Sequence, residues 1–174
     1  MANRSYTSRR ELEEYHFSLL VTLGAPLVLV LLQAFLPKLF PRLVLLDLPL
    51  IAVIFFAVAR RSPIYGTLTG AAIGLLQDSL TGQPIGINGM AKAVIGYMAS
   101  SIGVQVDVES WTTRLVMNFG FSLIGSGLLF LIQRYLLGIG GYHLLWLHEL
   151  LRAAVNTAVA IPLFLLLDRT KLHD

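Results

Sequence analysis

The chain has 174 residues, of which 56% are hydrophobic and only 13% are charged. Soluble domains carry roughly 25% charged residues, so this composition excludes an ordinary soluble domain and indicates a single polytopic membrane domain. A net charge of +3 indicates no nucleic-acid partner, since cytoplasmic loops make membrane proteins basic. The absence of cysteine excludes disulfides, thiolate metal sites and cysteine nucleophiles.

Apolar runs follow a polar N-terminal segment, residues 1–16, which we expect to be cytoplasmic. No small-residue cleavage site follows the first run, so we expect it to remain as a helix rather than to act as a signal peptide. The runs predict six helices of the length that a bilayer requires, about 20 residues each. The expected transmembrane domain covers 17–168, and 169–174 forms a cytoplasmic tail. The predicted helices cover 17–36, 43–59, 64–80, 85–104, 115–137 and 144–167.

The positions of Lys and Arg in the short loops predict the orientation of these helices. With both termini in the cytoplasm, the outer side holds only three of these residues, Lys38, Arg42 and Arg134. We therefore expect both termini inside and the turn at 79–84 outside. The inner side then holds Arg4, Arg9, Arg10, Arg60, Arg61, Arg114, Arg169 and Lys171.

The third predicted helix carries Gly66, Gly70, Gly74 and Asp78 at intervals of four residues. This spacing places them on one helical face, and small residues let two backbones approach closely in lipid. We therefore expect the third and fourth helices to pack tightly through a short hairpin. The fourth predicted helix carries a second row of small residues: Gly89, Ala93, Gly96, Ser100 and Gly103.

Ionisable side chains inside a predicted span are costly and are therefore candidates for function. Hairpin geometry makes Asp78 the expected partner of Lys92, either as a lock on the hairpin or as an ion or substrate relay. In the sixth helix Glu149 can neutralise Arg152 three residues later, again as structural glue or as a pathway. His148, Arg152 and Asn156 follow one another there at intervals of four residues.

The sequence shows no constellation that is typical of an enzyme. The four histidines do not have a metal-ligand spacing, no serine has a nearby histidine base, and there is no phosphate loop. We therefore expect no catalytic residues, no metal and no cofactor. The first two helices are almost entirely apolar, and the later ones have polar or small faces. This difference predicts a core built from the later helices, with surfaces such as Leu29 and Ile54 facing lipid or a partner.

One spacing resembles a known family. The pattern Gly70-x3-Gly74-x3-Asp78-x3-Gly82-x3-Gly86, with a span before and after it, resembles the rod-shape-determining MreD family. The resemblance is most specific over residues 43–100. That family usually opens its second helix with Pro, then Asn or Asp, then an aromatic residue. This chain has Asp47-Leu48-Pro49 there instead.

The resemblance implies a non-enzymatic scaffold in the bacterial inner membrane. Such proteins bind MreC, act with RodA and a class B penicillin-binding transpeptidase, connect indirectly to MreB, and help control cell shape and peptidoglycan synthesis. It also implies a fold similar to the S subunits of energy-coupling-factor transporters. The alternative is therefore the substrate-binding subunit of a vitamin-type transporter. Those subunits commonly carry Ala-x3-Ala in the first helix, where this chain has only Gly24-x3-Val28 and Ala25-x3-Leu29.

Overall fold

The computed structural model describes residues 16–40, 45–106, 110–138 and 145–172, which form a helical bundle. A short antiparallel pair, β1 (His16–Phe17) with β2 (Lys171–Leu172), brings the two ends of the described chain together. The described residues contain six α-helices, which confirms the predicted number. They are α1 (Leu19–Leu39), α2 (Leu48–Arg60), α3 (Pro63–Thr81), α4 (Ile87–Gly103), α5 (Trp111–Leu131) and α6 (Trp146–Asp168).

Three of these helices are long and apolar enough to cross a membrane, judged by length and composition. They cover Leu20–Leu39, Trp111–Leu136 and Trp146–Asp168, where a π-helical turn, Ile132–Leu136, extends α5. The apolar helix Leu48–Arg60 is shorter. The chain is thus built as a membrane protein, and the crossing of the bilayer by all six helices stays a prediction.

Helix α2 begins at Leu48, which is later than the predicted start at residue 43. The carboxylate of Asp47 accepts a hydrogen bond from the N–H of Leu50 at 3.1 Å, and Pro49 occupies the first turn. An aspartate cap followed by proline is a strong helix start, because the cap satisfies one N–H and proline has none to satisfy. Residues 43 and 44 of the predicted span lie outside the described residues.

Helix α2 is the centre of the bundle. Every residue from Leu48 to Ala59 is buried, and α2 contacts each of the other five α-helices. The prediction that the first two helices face lipid is therefore wrong for α2. Lipid tails are as apolar as leucine, so an all-apolar helix has the same sequence whether lipid or protein surrounds it. The prediction holds for α1, which exposes Leu20 and Leu23.

Helices α3 and α4 pack with their backbones almost in contact. A Cβ added to Gly70 would lie 2.1 Å from the carbonyl oxygen of Lys92, and one on Gly74 would lie 2.3 Å from that of Asn88. A Cβ added to Gly66 would lie 2.4 Å from the backbone oxygen of Gly96. No side chain fits at such distances, so the three glycines are the surface through which α3 contacts α4.

Gly82 and Gly86, which the sequence suggests as a continuation of this row, lie in the turn instead. Their φ angles are +68° and +108°, and nothing lies within 4 Å of an added Cβ at either position. Gly82 ends α3 and Gly86 precedes α4. Their role is conformational, because a left-handed backbone favours glycine.

Candidate functional site

Four ionisable side chains meet at the start of α2. Nζ of Lys92 lies 3.0 Å from Oδ2 of Asp47, and both side chains are almost fully buried. The guanidinium of Arg152 lies 3.6 Å from the same oxygen and 3.9 Å from Glu149. Two carboxylates therefore balance two cations. Such balance is required inside a membrane protein, because an unpaired buried charge is strongly destabilising.

Side chains from α1 and α6 complete the hydrogen bonds of the backbone at this point. Gln33 donates to the carbonyl oxygen of Leu46 at 2.8 Å and accepts from the N–H of Leu48 at 3.1 Å. The amide oxygen of Asn156 accepts from the N–H of Asp47 at 2.9 Å. The first N–H groups of a helix have no partner within the helix, and lipid supplies none. Gln33 and Asn156 therefore fix where α2 starts.

Asp78 has a different partner from the one that the hairpin geometry suggests. Its carboxylate accepts from the N–H of Gly86 at 2.8 Å and from the backbone and side-chain N–H of Asn88 at 3.1 and 2.8 Å. The predicted Asp78–Lys92 pair is wrong: Lys92 donates to Asp47 and, at 3.1 Å, to the amide oxygen of Asn88. Asn88 thus lies between the two charges, and the N–H groups at the start of α4 hold Asp78.

The remaining predicted residues lie on α6. The Glu149–Arg152 interaction is present, and Asn156 is fully buried with its amide nitrogen 3.5 Å from the hydroxyl of Ser122 on α5. His148 is exposed and takes no part in the ion pairs. Among the described residues, no group of three His, Asp or Glu side chains is placed to hold a metal ion.

Above the ion pairs lies a cavity of about 850 Å³ with both polar and apolar lining, which we call the vestibule. It opens at the end of the bundle where α1 ends and α6 begins, and α3, α4 and α5 complete its wall. Two of its buried acceptors, Oε1 of Gln77 and Oε2 of Glu149, make no hydrogen bond to the part of the chain that the structure describes. The polar lining includes Gln33, Gln77, Gln83, Gln133, His148 and Arg152.

Sequence reasoning missed the central role of Asp47 and Gln33. A signal for Gln33 was available, since it is the one strongly polar residue in the run 17–36. A polar side chain in such a run is costly unless it has a partner, which is the same argument that singled out Lys92. No feature of the sequence identifies the partner of Gln33, which is the backbone carbonyl of Leu46 thirteen residues later.

Among curated proteins and among solved structures, no significant match to this chain is found. The similarity to energy-coupling-factor S subunits therefore stays a prediction. A family model does match: the one described as "rod shape-determining protein MreD" covers residues 15–170. That range includes all six helices, the ion pairs and the vestibule. The chain therefore belongs to the MreD family, whose role is in rod-shape determination.

Proposed function

We propose that the protein is a non-enzymatic scaffold of the bacterial cell-elongation machinery in the inner membrane. In this proposal it binds MreC, acts in one complex with RodA and a class B penicillin-binding transpeptidase, and is linked indirectly to MreB. It would thereby help control where peptidoglycan is made, with both of its termini in the cytoplasm. The observation that carries the proposal is the family match over residues 15–170.

The outward face of α1 supports this proposal as a surface for a partner helix. Leu20, Leu23, Leu27 and Leu31 are exposed on it, and Gly24 lies among them with nothing within 4 Å of an added Cβ. These positions follow the spacing of one helical face. A small residue between large apolar ones lets a second helix approach closely in lipid, where packing drives association. We propose that the transmembrane helix of MreC packs here.

The test is co-purification of MreC with the protein in mild detergent. Gly24→Leu should fill the gap on α1 and lower the amount of retained MreC severalfold while the folded yield stays unchanged. Gly120→Leu is the matched control, because Gly120 on α5 also has nothing within 4 Å of an added Cβ. Absence of MreC from the wild-type preparation would contradict the scaffold. Equal retention by both variants would contradict only the α1 surface.

Two positions that the sequence suggests for such a test are unsuitable. Leu29 and Ile54 are only 7% and 2% exposed, so glutamine at either site would disturb the core rather than a docking surface. Their burial follows from the central position of α2, against which α1 packs.

The vestibule favours a second candidate function, the substrate-binding subunit of a vitamin-type transporter. Its volume of about 850 Å³ is within the range typical of small-molecule sites. Such sites are mostly lined by apolar and aromatic side chains, yet the described lining includes no Phe, Tyr or Trp. A stoichiometric heterocyclic ligand found by mass spectrometry, with no MreC bound, would favour this function over the scaffold.

A further inference from the structure

The vestibule contains buried hydrogen-bond acceptors that lack donors. Gln77 and Glu149 are only 7% and 8% exposed, and both line this cavity. Within the described residues, Oε1 of Gln77 and Oε2 of Glu149 accept no hydrogen bond. Buried acceptors in native proteins are nearly always satisfied by protein, water or ligand. Both oxygens are closed off from the cavity as the side chains lie, so a rotation of either side chain toward the cavity would let it accept from a hydroxyl group of a molecule bound there.

Beside these acceptors the vestibule has a cationic donor with hydrogen-bonding capacity to spare. The contacts of Arg152 with Asp47 and Glu149 are 3.6 and 3.9 Å long, which is beyond hydrogen-bond distance. Its planar guanidinium carries five N–H donors in a fork that matches carboxylate and phosphate oxygens. Lys38 lines the same cavity near the end of α1. The cavity thus has cationic donors for an anionic group next to acceptors for hydroxyl groups.

The charge of the lining favours an anion over a cation. Two described lining residues are cationic, Lys38 and Arg152, and one is anionic, Glu149. Asp47, Lys92, Arg152 and Glu149 balance one another, so Lys38 leaves this end of the cavity with one positive charge in excess. Because the described lining has no aromatic side chain, it has no surface on which a flat heterocycle would stack. These features together indicate a compact, hydroxylated, anionic ligand.

We propose that the vestibule binds a hydroxyl-bearing phosphate ester of the glycerophosphate type. The phosphate would lie at Arg152 and Lys38, and the hydroxyl groups would donate to Gln77 and Glu149. At 1.5 Å per residue, Gln77 lies about 6 Å from the end of α3 and Arg152 about 9 Å from the start of α6. This depth suits a polar headgroup. The source is either an anionic lipid of the outer leaflet or a free ester.

The experiment uses the full chain purified in detergent, and native mass spectrometry with three lipids that share the same acyl chains. We expect retention of one phosphatidylglycerol molecule and much weaker retention of phosphatidylcholine and phosphatidic acid. The phosphatidic acid carries the charge without the hydroxyl groups. A parallel thermal-shift titration uses glycerol 3-phosphate. Binding of either phosphatidylglycerol or glycerol 3-phosphate supports the site, and the one that binds identifies the source.

Gln77→Leu and Arg152→Met should each weaken retention about tenfold, since each removes hydrogen bonds that the ligand needs. Gln105→Leu and Arg169→Met are matched controls. Both residues are exposed, and they follow the ends of α4 and α6 that are farthest from the vestibule. Gln77 makes no bond within the described chain that its replacement would break. Its variant therefore tests the site even where Arg152→Met disturbs the ion pairs.

Several results would overturn the proposal. One is equal retention of phosphatidylglycerol and either of the other two lipids without binding of glycerol 3-phosphate, which would mean that charge or acyl chains alone are recognised. Another is an equal loss in the Gln105 and Arg169 variants. A third is the absence of binding by both phosphatidylglycerol and glycerol 3-phosphate. None of these results bears on whether MreC is retained, so the scaffold and the ligand site fail separately.

Discussion

Nζ of Lys92 lies 3.0 Å from Oδ2 of Asp47, and this ion pair joins α4 to the start of α2. The same carboxylate lies 3.6 Å from Arg152 on α6. One carboxylate therefore serves cations from two helices, while Lys92 has a single carboxylate within ion-pair distance in the described chain. Removal of one partner of a buried pair leaves the other uncompensated, so the two residues should not be equivalent.

We expect Asp47→Asn to destabilise the bundle by about 3–5 kcal/mol, because it leaves the buried Lys92 without a carboxylate and Arg152 with Glu149 alone. Asparagine keeps the helix cap, so the loss reports charge. Lys92→Met should cost less, since Asp47 retains Arg152. The measurement is thermal unfolding in detergent, and the double variant should recover part of the loss. Equal losses of stability in the two single variants would contradict the expected difference between Asp47 and Lys92.

The hairpin of α3 and α4 should not tolerate a single methyl group at its contact. Gly70→Ala should lower the stability by about 1–3 kcal/mol, because its Cβ would overlap the backbone of Lys92. Gly127→Ala on α5 is the control, since nothing lies within 4 Å of its Cβ. It should be neutral or slightly stabilising, as alanine is the better helix former. Similar unfolding temperatures for both variants would mean that the helices can separate freely.

Asp78 should matter through the start of α4. Asp78→Asn replaces one acceptor oxygen by an NH2 group that faces the N–H groups of Gly86 and Asn88. We expect a loss of about 1–3 kcal/mol, the cost of an unsatisfied buried polar group. Ser79→Ala is the neighbouring control, because Ser79 is exposed and bonds only one helical turn back. A loss no larger than that of the control, in the same unfolding assay, would contradict this role.

The orientation of the bundle is testable with reporters. A reporter fused after Asp174 should be cytoplasmic, because the predicted topology then puts eight Lys and Arg residues inside and three outside. One inserted at 81–83 should be external. The pairing of β1 with β2 requires both described ends of the chain to lie at one end of the bundle. An external signal from the C-terminal fusion would therefore reverse the whole assignment and place the vestibule inside.

The predictable parts of this fold are those that depend on residues close in sequence. Gly66, Gly70 and Gly74 identify a tight contact because their spacing already defines a face, and the nearest apolar helix is across a short turn. The partner of Lys92 was not predictable in this way. The position of Lys92 along α4 follows from the sequence. The carboxylate that its side chain reaches depends on where α2 starts, and that residue, Asp47, is 45 residues away in the chain.

The sequence contains even less information about the central position of α2. In water, a helix that is apolar all round must be buried, but in lipid the same sequence is equally stable at the surface. Its sequence does contain one hint, the carboxylate of Asp47 at its start. A charge there requires partners, and the only way to supply several is to surround the residue with other helices. Read together with Gln33, Asp47 would have indicated the centre of the bundle.

The partners of Asp47 also imply an order of biogenesis. Lys92 and Asn156 follow it by 45 and 109 residues, so both are synthesised after α2. A nascent chain that ends before α4 carries an uncompensated carboxylate at a helix start destined for the interior. Its charge is balanced when α4 arrives, and its backbone N–H finds Asn156 only once α6 has been made. A chain truncated before α6 therefore lacks the acceptor on Asn156, and the N–H of Asp47 stays without that partner.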